Sequence, residues 1–346
     1  MVADMDDPEF TGDWYMRDLP YGWDTLIENL GDPAHIPYAH HGVIGRRSMG
    51  KHYGIKLKEG PDSGKHGYLT EPYAFSPGLK TQSLGFRAPC LVYYVSDYTE
   101  ALPQLAARIP PPMGWLLSLV MKVDPKLRKS PEERDPSDRL NNYFVGYAVP
   151  TAPGRSRLFV RTARNFFFNR MPQWTHSKAK AHLRQHLVLD GDTPALHYQE
   201  REVRRKGAYG ANLDRTFFMP TDADTPTRAF RRWLAEEGGG APAWAPGTDL
   251  SLGAPETRRE LLLDRYEAHT VHCSACSKAF QGLTKARLSL GIAAIPAALA
   301  AAVLPRGAAA LGCAGLAAGS LGASAYMHRR RQAFVFEDYV HGTRDG

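Results

Sequence analysis

Two long runs without a charged side chain, near the C-terminus, constrain the fold of this chain more than any other feature. Leu288–Leu304 contains 17 residues and Gly307–Met327 contains 21, and a Pro-Arg pair separates them. A helix of about 20 apolar residues is long enough to cross a bilayer. Basic residues flank the two runs, namely Lys278, Lys285, Arg287, Arg329, Arg330 and Arg331. This pattern predicts a transmembrane helical hairpin with both ends on the positive-inside face, and a buried soluble hairpin is the alternative.

The composition of the chain is that of a globular protein. Its 346 residues are 43% hydrophobic and 23% charged, with a formal net charge of +7. Lys and Arg are spread along the chain rather than concentrated in one stripe, so no nucleic-acid partner is expected. Four cysteines are too few for a disulfide scaffold, which favours a thiol-reducing compartment. The acidic N-terminus lacks the apolar segment of a signal peptide, and we expect it to continue a longer protein.

Turn residues and β-rich runs alternate in the first half of the chain and indicate strands. Strands are predicted within 50–100, including CLVYYV at 90–95, and at 141–152 and 157–168. Helices are predicted at 24–46, 172–185 and 191–206, with a Gly-, Pro- and Ala-rich linker at 237–257. The charged segment 125–138 is expected to be exposed.

The segment 28–41 carries the clearest chemical signal. Asp32, His35 and His40 form the pattern D-x-x-H-x-x-x-x-H. On an ideal helix, His35 and His40 lie about 140° apart, which is too wide for one metal ion. Pro37 lies between them and can bend the backbone so that the two imidazoles converge. Two neutral imidazoles suit Fe, Zn or Cu, and a carboxylate would complete a facial triad with open positions. A zinc hydrolase is therefore an alternative to an iron enzyme.

A second motif, His269-Thr-Val-His-Cys273-Ser-Ala-Cys276, supports three interpretations. The C-x-x-C pair is typical of a redox dithiol, because this spacing lowers the thiol pKa and permits disulfide exchange. The histidines and cysteines are also zinc ligand types, although the usual second C-x-x-C is missing. Two unremarkable thiols are the third interpretation. The residues alone leave all three open.

The run E-N-x-x-D-x-x-H-x-x-x-x-H is similar to the mononuclear iron motif of Rieske-type oxygenases. Three stretches, at 13–47, 189–202 and 269–280, extend this resemblance to the pheophorbide a oxygenase-like family, whose members also end in a hydrophobic pair. The resemblance implies an α+β fold, with an antiparallel sheet packed against helices in a helix-grip-like catalytic domain. It also implies that the C-terminal hairpin spans a membrane.

The resemblance assigns His35 and His40 as the two imidazole ligands of a mononuclear Fe(II). The third ligand in such proteins is a carboxylate ahead of a Leu-x-x-Gln-Glu-like run. Asp192 matches this position best, and Asp190 is its near rival. His41 is an additional imidazole, so a slip of one residue in the choice of ligand stays open.

The resemblance also suggests roles for residues beside the iron. Asp32 resembles the aspartate that links the iron site to the Rieske cluster of a neighbouring subunit, and Asn29 belongs to the same motif, where it tunes the site. These two are the candidate catalytic residues. The resemblance favours the redox dithiol for Cys273 and Cys276, because family members carry such a pair just before the membrane anchor.

The implied activity is that of an O₂-dependent oxygenase acting on a chlorophyll-derived tetrapyrrole, such as pheophorbide a or chlorophyllide. The implied partners are a ferredoxin-type electron donor, a membrane and further copies of the chain in a homotrimer. The implied location is the chloroplast inner envelope or thylakoid, with the catalytic domain on the stromal side. The expected domains are the iron catalytic domain at 1–236, a linker with the C-x-x-C at 237–287, the hairpin at 288–327 and a basic tail at 328–346.

The chain departs from the family in one respect. A Rieske [2Fe–2S] cluster uses two Cys and two His ligands, in a C-x-H and a C-x-x-H motif. Neither motif occurs in this sequence. We therefore expect the cluster to come from a missing N-terminal domain or from a partner, unless the protein has lost its redox function. A membrane-anchored redox-sensing or binding protein without turnover is the alternative function.

Overall fold

The computed structural model describes residues 7–60, 64–76, 78–107, 111, 129, 135, 138–166, 177–207, 217–240 and 242–341. The chain divides into two compact units. The first unit comprises Met1–His176, Val188–Pro255 and Val340–Gly346, and the second comprises Ser177–Leu187 and Glu256–Tyr339. The domain boundaries expected from the sequence stay predictions. Most of the charged segment 125–138 lies outside the described residues.

The first unit is built on a seven-stranded antiparallel sheet. Its strands are β1 (Trp14–Leu19), β2 (Gly67–Leu69), β3 (Tyr73–Ser76), β4 (Leu79–Arg87), β5 (Leu91–Asp97), β6 (Asn141–Ala152) and β7 (Arg155–Arg164). The strand order is β1-β7-β6-β5-β4-β2, and β3 pairs with β4. β6 and β7 form a hairpin around Pro153 and Gly154, between the two strands predicted at 141–152 and 157–168, and Gly154 has a positive φ. The predicted antiparallel sheet with packed helices is confirmed.

The helices are α1 (Trp23–Gly31), α2 (Ile36–Ala39), α3 (Ala101–Ala107), α4 (Lys178–Arg205), α5 (Thr225–Glu236), α6 (Arg259–Leu262), α7 (Ser274–Val303) and α8 (Ala308–Gln332). Short 3-10 turns occur at Arg47–Met49, Asp222–Asp224 and Thr270–His272. The separate helices predicted at 172–185 and 191–206 were wrong, because α4 is continuous from Lys178 and its Pro194 does not end it. Residues 172–176 lie outside the described residues.

Aromatic packing fixes α5 against the sheet in the core of the first unit. The ring of Phe86 on β4 lies 5.0 Å from that of Phe230 and 4.8 Å from that of Trp233. α1 buries Leu26 and Ile27 in the same cluster. Burying such side chains contributes about 1.5–3 kcal/mol each, so this core holds α1 firmly and fixes the point where the metal motif begins.

The single helix predicted at 24–46 was also wrong, and proline explains why. α1 ends at Gly31 because Pro33 restricts the residue before it, and Asp32 adopts extended backbone angles, with φ −100° and ψ 105°. The Oδ1 atom of Asp32 then accepts a 2.7 Å hydrogen bond from the Ala34 N–H. This turn separates α1 from α2, which begins at Ile36.

α7 and α8 form a helical hairpin in the second unit and include the two charge-free runs except for the cap residues Leu304 and Gly307. Both helices are long and apolar enough to cross a membrane by length and composition. Large apolar side chains are exposed along both helices, and Leu299 and Leu311 are 62% and 75% exposed. The predicted pair of helices is confirmed, and their crossing of a membrane is taken up below.

Candidate metal centre

His35 and His40 flank α2, one at each end. His35 is the N-cap of this four-residue helix and His40 its C-cap, and Pro37 lies in its first turn. Because neither histidine continues a regular helix, the ideal separation of about 140° does not apply to them. The two Nε2 atoms lie 3.2 Å apart. The convergence predicted for the two imidazoles is therefore observed, and it depends on the chain turning at both ends of α2.

Asp192, on α4, completes the group. Its Oδ2 atom lies 3.3 Å from His40 Nε2 and 3.9 Å from His35 Nε2. Metal–ligand distances of about 2.1 Å at right angles hold neighbouring ligand atoms about 3.0 Å apart. The three donor atoms therefore fit one face of a six-coordinate ion after small side-chain adjustments. Within the described part of the chain, this is one of two groups of His, Cys, Asp or Glu close enough to hold a metal ion.

Asp190 points to a different partner. Its Oδ1 atom lies 2.7 Å from a guanidinium nitrogen of Arg17 on β1, and both side chains are fully buried. Residues two apart on a helix point about 200° apart, so Asp190 and Asp192 cannot face the same ion. Burial lowers the pKa of Arg17, but the Asp190 carboxylate raises it, and the net shift is upward. Asp190 is therefore the ion-pair partner of Arg17, and Asp192 is the candidate metal ligand.

The predicted catalytic residues lie beside His35. The Nδ2 atom of Asn29 is 3.4 Å from His35 Nε2, and the Oδ2 atom of Asp32 is 3.7 Å from His35 Nδ1. Burial lowers the pKa of His35, while Asp32 and Asp192 raise it, so that the net pKa lies above its usual value. His41 points elsewhere, since its Nδ1 atom accepts a 3.0 Å hydrogen bond from the Arg47 N–H. The geometry thus favours His40 over His41 as the second imidazole.

The centre is enclosed on one side and accessible on the other. His40 is 2% exposed and Asp192 5%, whereas the His35 side chain is 20% exposed and that of Asp32 36%. A metal ion held here would therefore keep open positions towards the side of His35. Such an arrangement is typical of catalytic rather than closed structural metal sites.

Cys273 and Cys276 belong to a second group, which includes two histidines. The Sγ atoms lie 3.4 Å and 3.5 Å, respectively, from Nδ1 of His182, and Cys276 Sγ lies 3.4 Å from Nε2 of His269. All four donor atoms are within 4.8 Å of one another. His182 was not among the residues predicted from the sequence, and it lies on α4, far along the chain from the C-x-x-C motif.

Comparison with known proteins gives the family of this chain. The model of the family described as pheophorbide a oxygenase matches residues 86–209, which include Asp192. A pheophorbide a oxygenase from Arabidopsis thaliana is 30% identical over 98% of this chain and 58% of its own length. This chain belongs to the pheophorbide a oxygenase-like family. The resemblance seen in its sequence motifs is thereby confirmed.

Another relative of this pheophorbide a oxygenase-like chain is named for a different reaction. A flavonoid 8-hydroxylase from Ocimum basilicum is 32% identical over 87% of this chain and 52% of that protein. The chain spans about three fifths of the length of the pheophorbide a oxygenases it matches. Among solved structures, a Pseudomonas putida NdmA variant with caffeine aligns with 68% of this chain and 53% of its own, at 13% identity and a TM-score of 0.44.

The second histidine pair of this oxygenase-like chain had a recognisable signal in the sequence. His182 and His186 are four residues apart on α4 and therefore share one face of the helix. The ring of His269 lies 5.1 Å from that of His182 and 4.8 Å from that of His186. An H-x-x-x-H pair on a predicted helix is a metal-ligand pattern in its own right. The other members of the group, His269, Cys273 and Cys276, follow more than 80 positions later in the chain, and spacing rules do not connect residues so far apart.

Proposed function

We propose that this chain is the oxygen-activating part of a mononuclear non-haem iron oxygenase. The observation that supports this most strongly is the convergence of His35, His40 and Asp192, with all donor atoms within 3.9 Å. Two imidazoles and one carboxylate with open positions form the facial triad of non-haem Fe(II) oxygenases. The donor set and its spacing fit the ion, and family membership supports the same chemistry.

Each residue of the centre has a separate task in this proposal. Iron bound here would supply the redox chemistry that attaches oxygen to a substrate. His40 and Asp192, both buried, would fix the ion in one position. Asp32 would hold the His35 imidazole in its ligand orientation through Nδ1, as carboxylates do for metal-bound histidines. The Asn29 amide, 3.4 Å from the same ring, would restrict its rotation further.

Electrons for the reaction have to come from outside this chain, because neither Rieske ligand motif occurs in it. We propose a Rieske [2Fe–2S] centre on another domain or chain, fed by a ferredoxin-type donor. Asp32 supports this arrangement, because its 36% exposed carboxylate connects His35 with the surface. A homotrimer, in which one subunit delivers electrons to the next, is part of the same proposal.

The proposed substrate is a chlorophyll-derived tetrapyrrole of the pheophorbide a or chlorophyllide type. The support is the similarity to pheophorbide a oxygenases over nearly the whole chain. A flavonoid is the second candidate, because a flavonoid 8-hydroxylase is 32% identical to this chain. The two candidates share a flat aromatic skeleton and differ in size, so a direct binding comparison distinguishes them.

The hairpin of α7 and α8 is proposed to anchor the protein in a chloroplast membrane, either inner envelope or thylakoid, with the iron centre on the stromal side. The curated relatives are chloroplastic proteins. Leu299, Leu311 and their neighbours expose large apolar surfaces, which are stable in lipid but costly in water. The basic residues around the hairpin fit the positive-inside arrangement.

The iron centre can be tested without knowing the substrate. The full chain in detergent is loaded anaerobically with Fe²⁺, desalted, and assayed for iron and for the electron paramagnetic resonance of its nitric oxide adduct. One iron per chain with a high-spin nitrosyl signal is expected, and His40→Ala should lose both. His41→Ala is the matched control and should keep both. Equal iron loss in the two variants would contradict the proposed ligand set.

Activity is tested with an added Rieske partner, its reductase and oxygen. Oxygen uptake that depends on His40 and on pheophorbide a supports the proposed oxygenase. An iron-free chain whose only reversible chemistry is a dithiol would instead indicate the redox-sensing alternative. Zinc in the His35–His40 centre, without iron, would indicate a hydrolase.

A further inference from the structure

We propose that His182, His269, Cys273 and Cys276 form a closed structural zinc site in the second unit, separate from the iron centre. All four residues lie in that unit, and their ligand atoms are within 4.8 Å of one another. The proposal does not depend on oxygenase activity. It differs from the redox dithiol that the family resemblance favours, because both sulfurs would be metal ligands.

The distances match a single tetrahedral ion. Zinc binds sulfur at about 2.3 Å and imidazole nitrogen at about 2.05 Å, so at the tetrahedral angle a sulfur and a nitrogen lie about 3.6 Å apart. Three sulfur–nitrogen distances within this group are 3.4, 3.4 and 3.5 Å. A tetrahedral set of two sulfurs and two nitrogens is the ligand set of structural zinc.

The same spacing argues against an iron–sulfur cluster, although a Rieske centre also uses two Cys and two His. In that cluster the two histidines bind one iron and the two cysteines bind the other. A cysteine sulfur and a histidine nitrogen therefore lie on opposite sides of the cluster. Here His182 Nδ1 is in contact distance of both sulfurs, at 3.4 and 3.5 Å. The group fits one ion and is too compact for two irons.

The backbone around the motif folds into a tight knuckle that orients three of the four ligands. The Cys273 N–H donates to the His269 carbonyl at 3.1 Å, and the Ser277 N–H donates to the Cys273 carbonyl at 2.8 Å. Cys273 is the extended N-cap residue of α7, and Cys276 lies in the first turn of that helix. This arrangement brings both thiols and the His269 ring to the same side, where His182 of α4 meets them.

Four protein ligands would leave no open position on the ion, as in structural zinc sites, and three of the four residues are buried while Cys273 is half-buried. Cys276 is 0% exposed, His269 1% and His182 6%. The loop that carries the ligands is tied to the segment after α8, because Thr270 Oγ1 donates to the Phe334 carbonyl at 2.8 Å. Arg265 donates to the neighbouring Ala333 carbonyl at 2.8 Å. Zinc here would cross-link α4, the 269–273 turn and the start of α7 at the base of the proposed membrane hairpin.

The test is a metal analysis of the full chain, purified in detergent from a zinc-replete culture, for zinc, iron and acid-labile sulfide. One zinc per chain is expected without sulfide. His182→Ala and Cys276→Ser should each lose at least nine tenths of the zinc. His272→Ala and Cys313→Ser are the matched controls, since they remove the same residue types outside the group, and should retain it. His40→Ala should lose iron and retain zinc, which separates this site from the iron centre.

A second readout uses the wild-type protein and a variant that keeps four ligands, so it does not depend on the folding of variants that have lost a ligand. Exchange of zinc for Co²⁺ should give tetrahedral visible bands and a thiolate-to-cobalt charge-transfer band. His269→Cys should keep the metal and raise that band by about half, because thiolates increase from two to three. The assignment would be overturned by protein that contains no zinc, or by a Cys273–Cys276 disulfide. It would also be overturned by iron with acid-labile sulfide, or by an unchanged zinc content in His182→Ala.

Discussion

The two carboxylates of the L-D-G-D segment should respond to the same substitution in opposite ways. Asp190 forms a fully buried ion pair with Arg17 at 2.7 Å, whereas Asp192 lies 3.3 Å from the His40 imidazole. Asn has nearly the shape of Asp but no charge. Asp190→Asn therefore leaves a buried guanidinium without its counter-charge, while Asp192→Asn removes a metal ligand.

The magnitudes follow from these surroundings. Removing one partner of a buried pair costs about 3–5 kcal/mol of unfolding free energy. In a protein of this size each kcal/mol lowers the unfolding temperature by about 2–4 °C, so Asp190→Asn should lower it by on the order of 10 °C. Asp192→Asn should change the unfolding temperature of the iron-free protein by only a few degrees. Its iron affinity should fall more than about 100-fold, since even loss of a residue that only orients a ligand costs 10–100-fold.

The assay measures thermal unfolding and iron per chain after desalting, both on the purified full chain in detergent. Asp249→Asn is the control, because Asp249 is exposed and accepts hydrogen bonds from its near neighbour Ser251. It should leave both quantities unchanged. The assignment of the third ligand is refuted if Asp190→Asn loses iron at normal stability while Asp192→Asn keeps it.

Three further outcomes are expected. Burial, followed by the charge of Asp24, raises the pKa of Glu200 from 4.5 to about 7, so its stabilising contribution is full below pH 4.5 and is lost as the pH rises through 7. Glu200→Gln should therefore have the same unfolding free energy as wild type at pH 4.5 but exceed it by up to about 3 kcal/mol at pH 8, as measured by denaturant titration. An equal difference between the two proteins at both pH values would contradict this. The raised pKa of His35 means that protons compete with iron for this imidazole, so the Fe²⁺ affinity should still be increasing as the pH rises above 6.5. An affinity that does not change with pH would exclude His35 as a ligand. Wild-type protein should float with liposomes, whereas the double variant Leu299→Lys, Leu311→Lys should not, and unchanged flotation would argue against insertion.

The sequence motif identified the two histidines of the proposed iron centre but not the backbone that joins them. D-x-x-H-x-x-x-x-H predicted convergence on one metal, and Pro37 was the expected cause of the bend. Pro33 was overlooked, although a proline restricts the residue before it and so ends α1 at Gly31. The single helix predicted at 24–46 was therefore wrong because this local effect of Pro33 was left out.

Other features needed the tertiary structure. Asp190 and Asp192 are near rivals in the sequence, and the position of Arg17 on β1 shows that Asp190 faces away from His35 and His40. His182 joins cysteines 91 and 94 positions away, and no spacing rule predicts that contact. The antiparallel sheet was foreseen from its strands and turns together with the family resemblance, because local signals mark where each strand begins and ends.

The most direct test of the proposed oxygenase centre supplies the oxidant in a form that needs no electron donor. Hydrogen peroxide carries both the oxygen atom and the oxidising equivalents, so that R–H + H₂O₂ gives R–OH + H₂O. Iron-loaded full chain is mixed with ¹⁸O-labelled peroxide and either pheophorbide a or a flavonoid, and products are analysed by mass spectrometry. We predict labelled product from wild type and His41→Ala, and only background from His40→Ala and Asp192→Asn. Product at the same level in all four proteins, or in none of them with either substrate, would contradict an oxygen-activating centre at His35, His40 and Asp192.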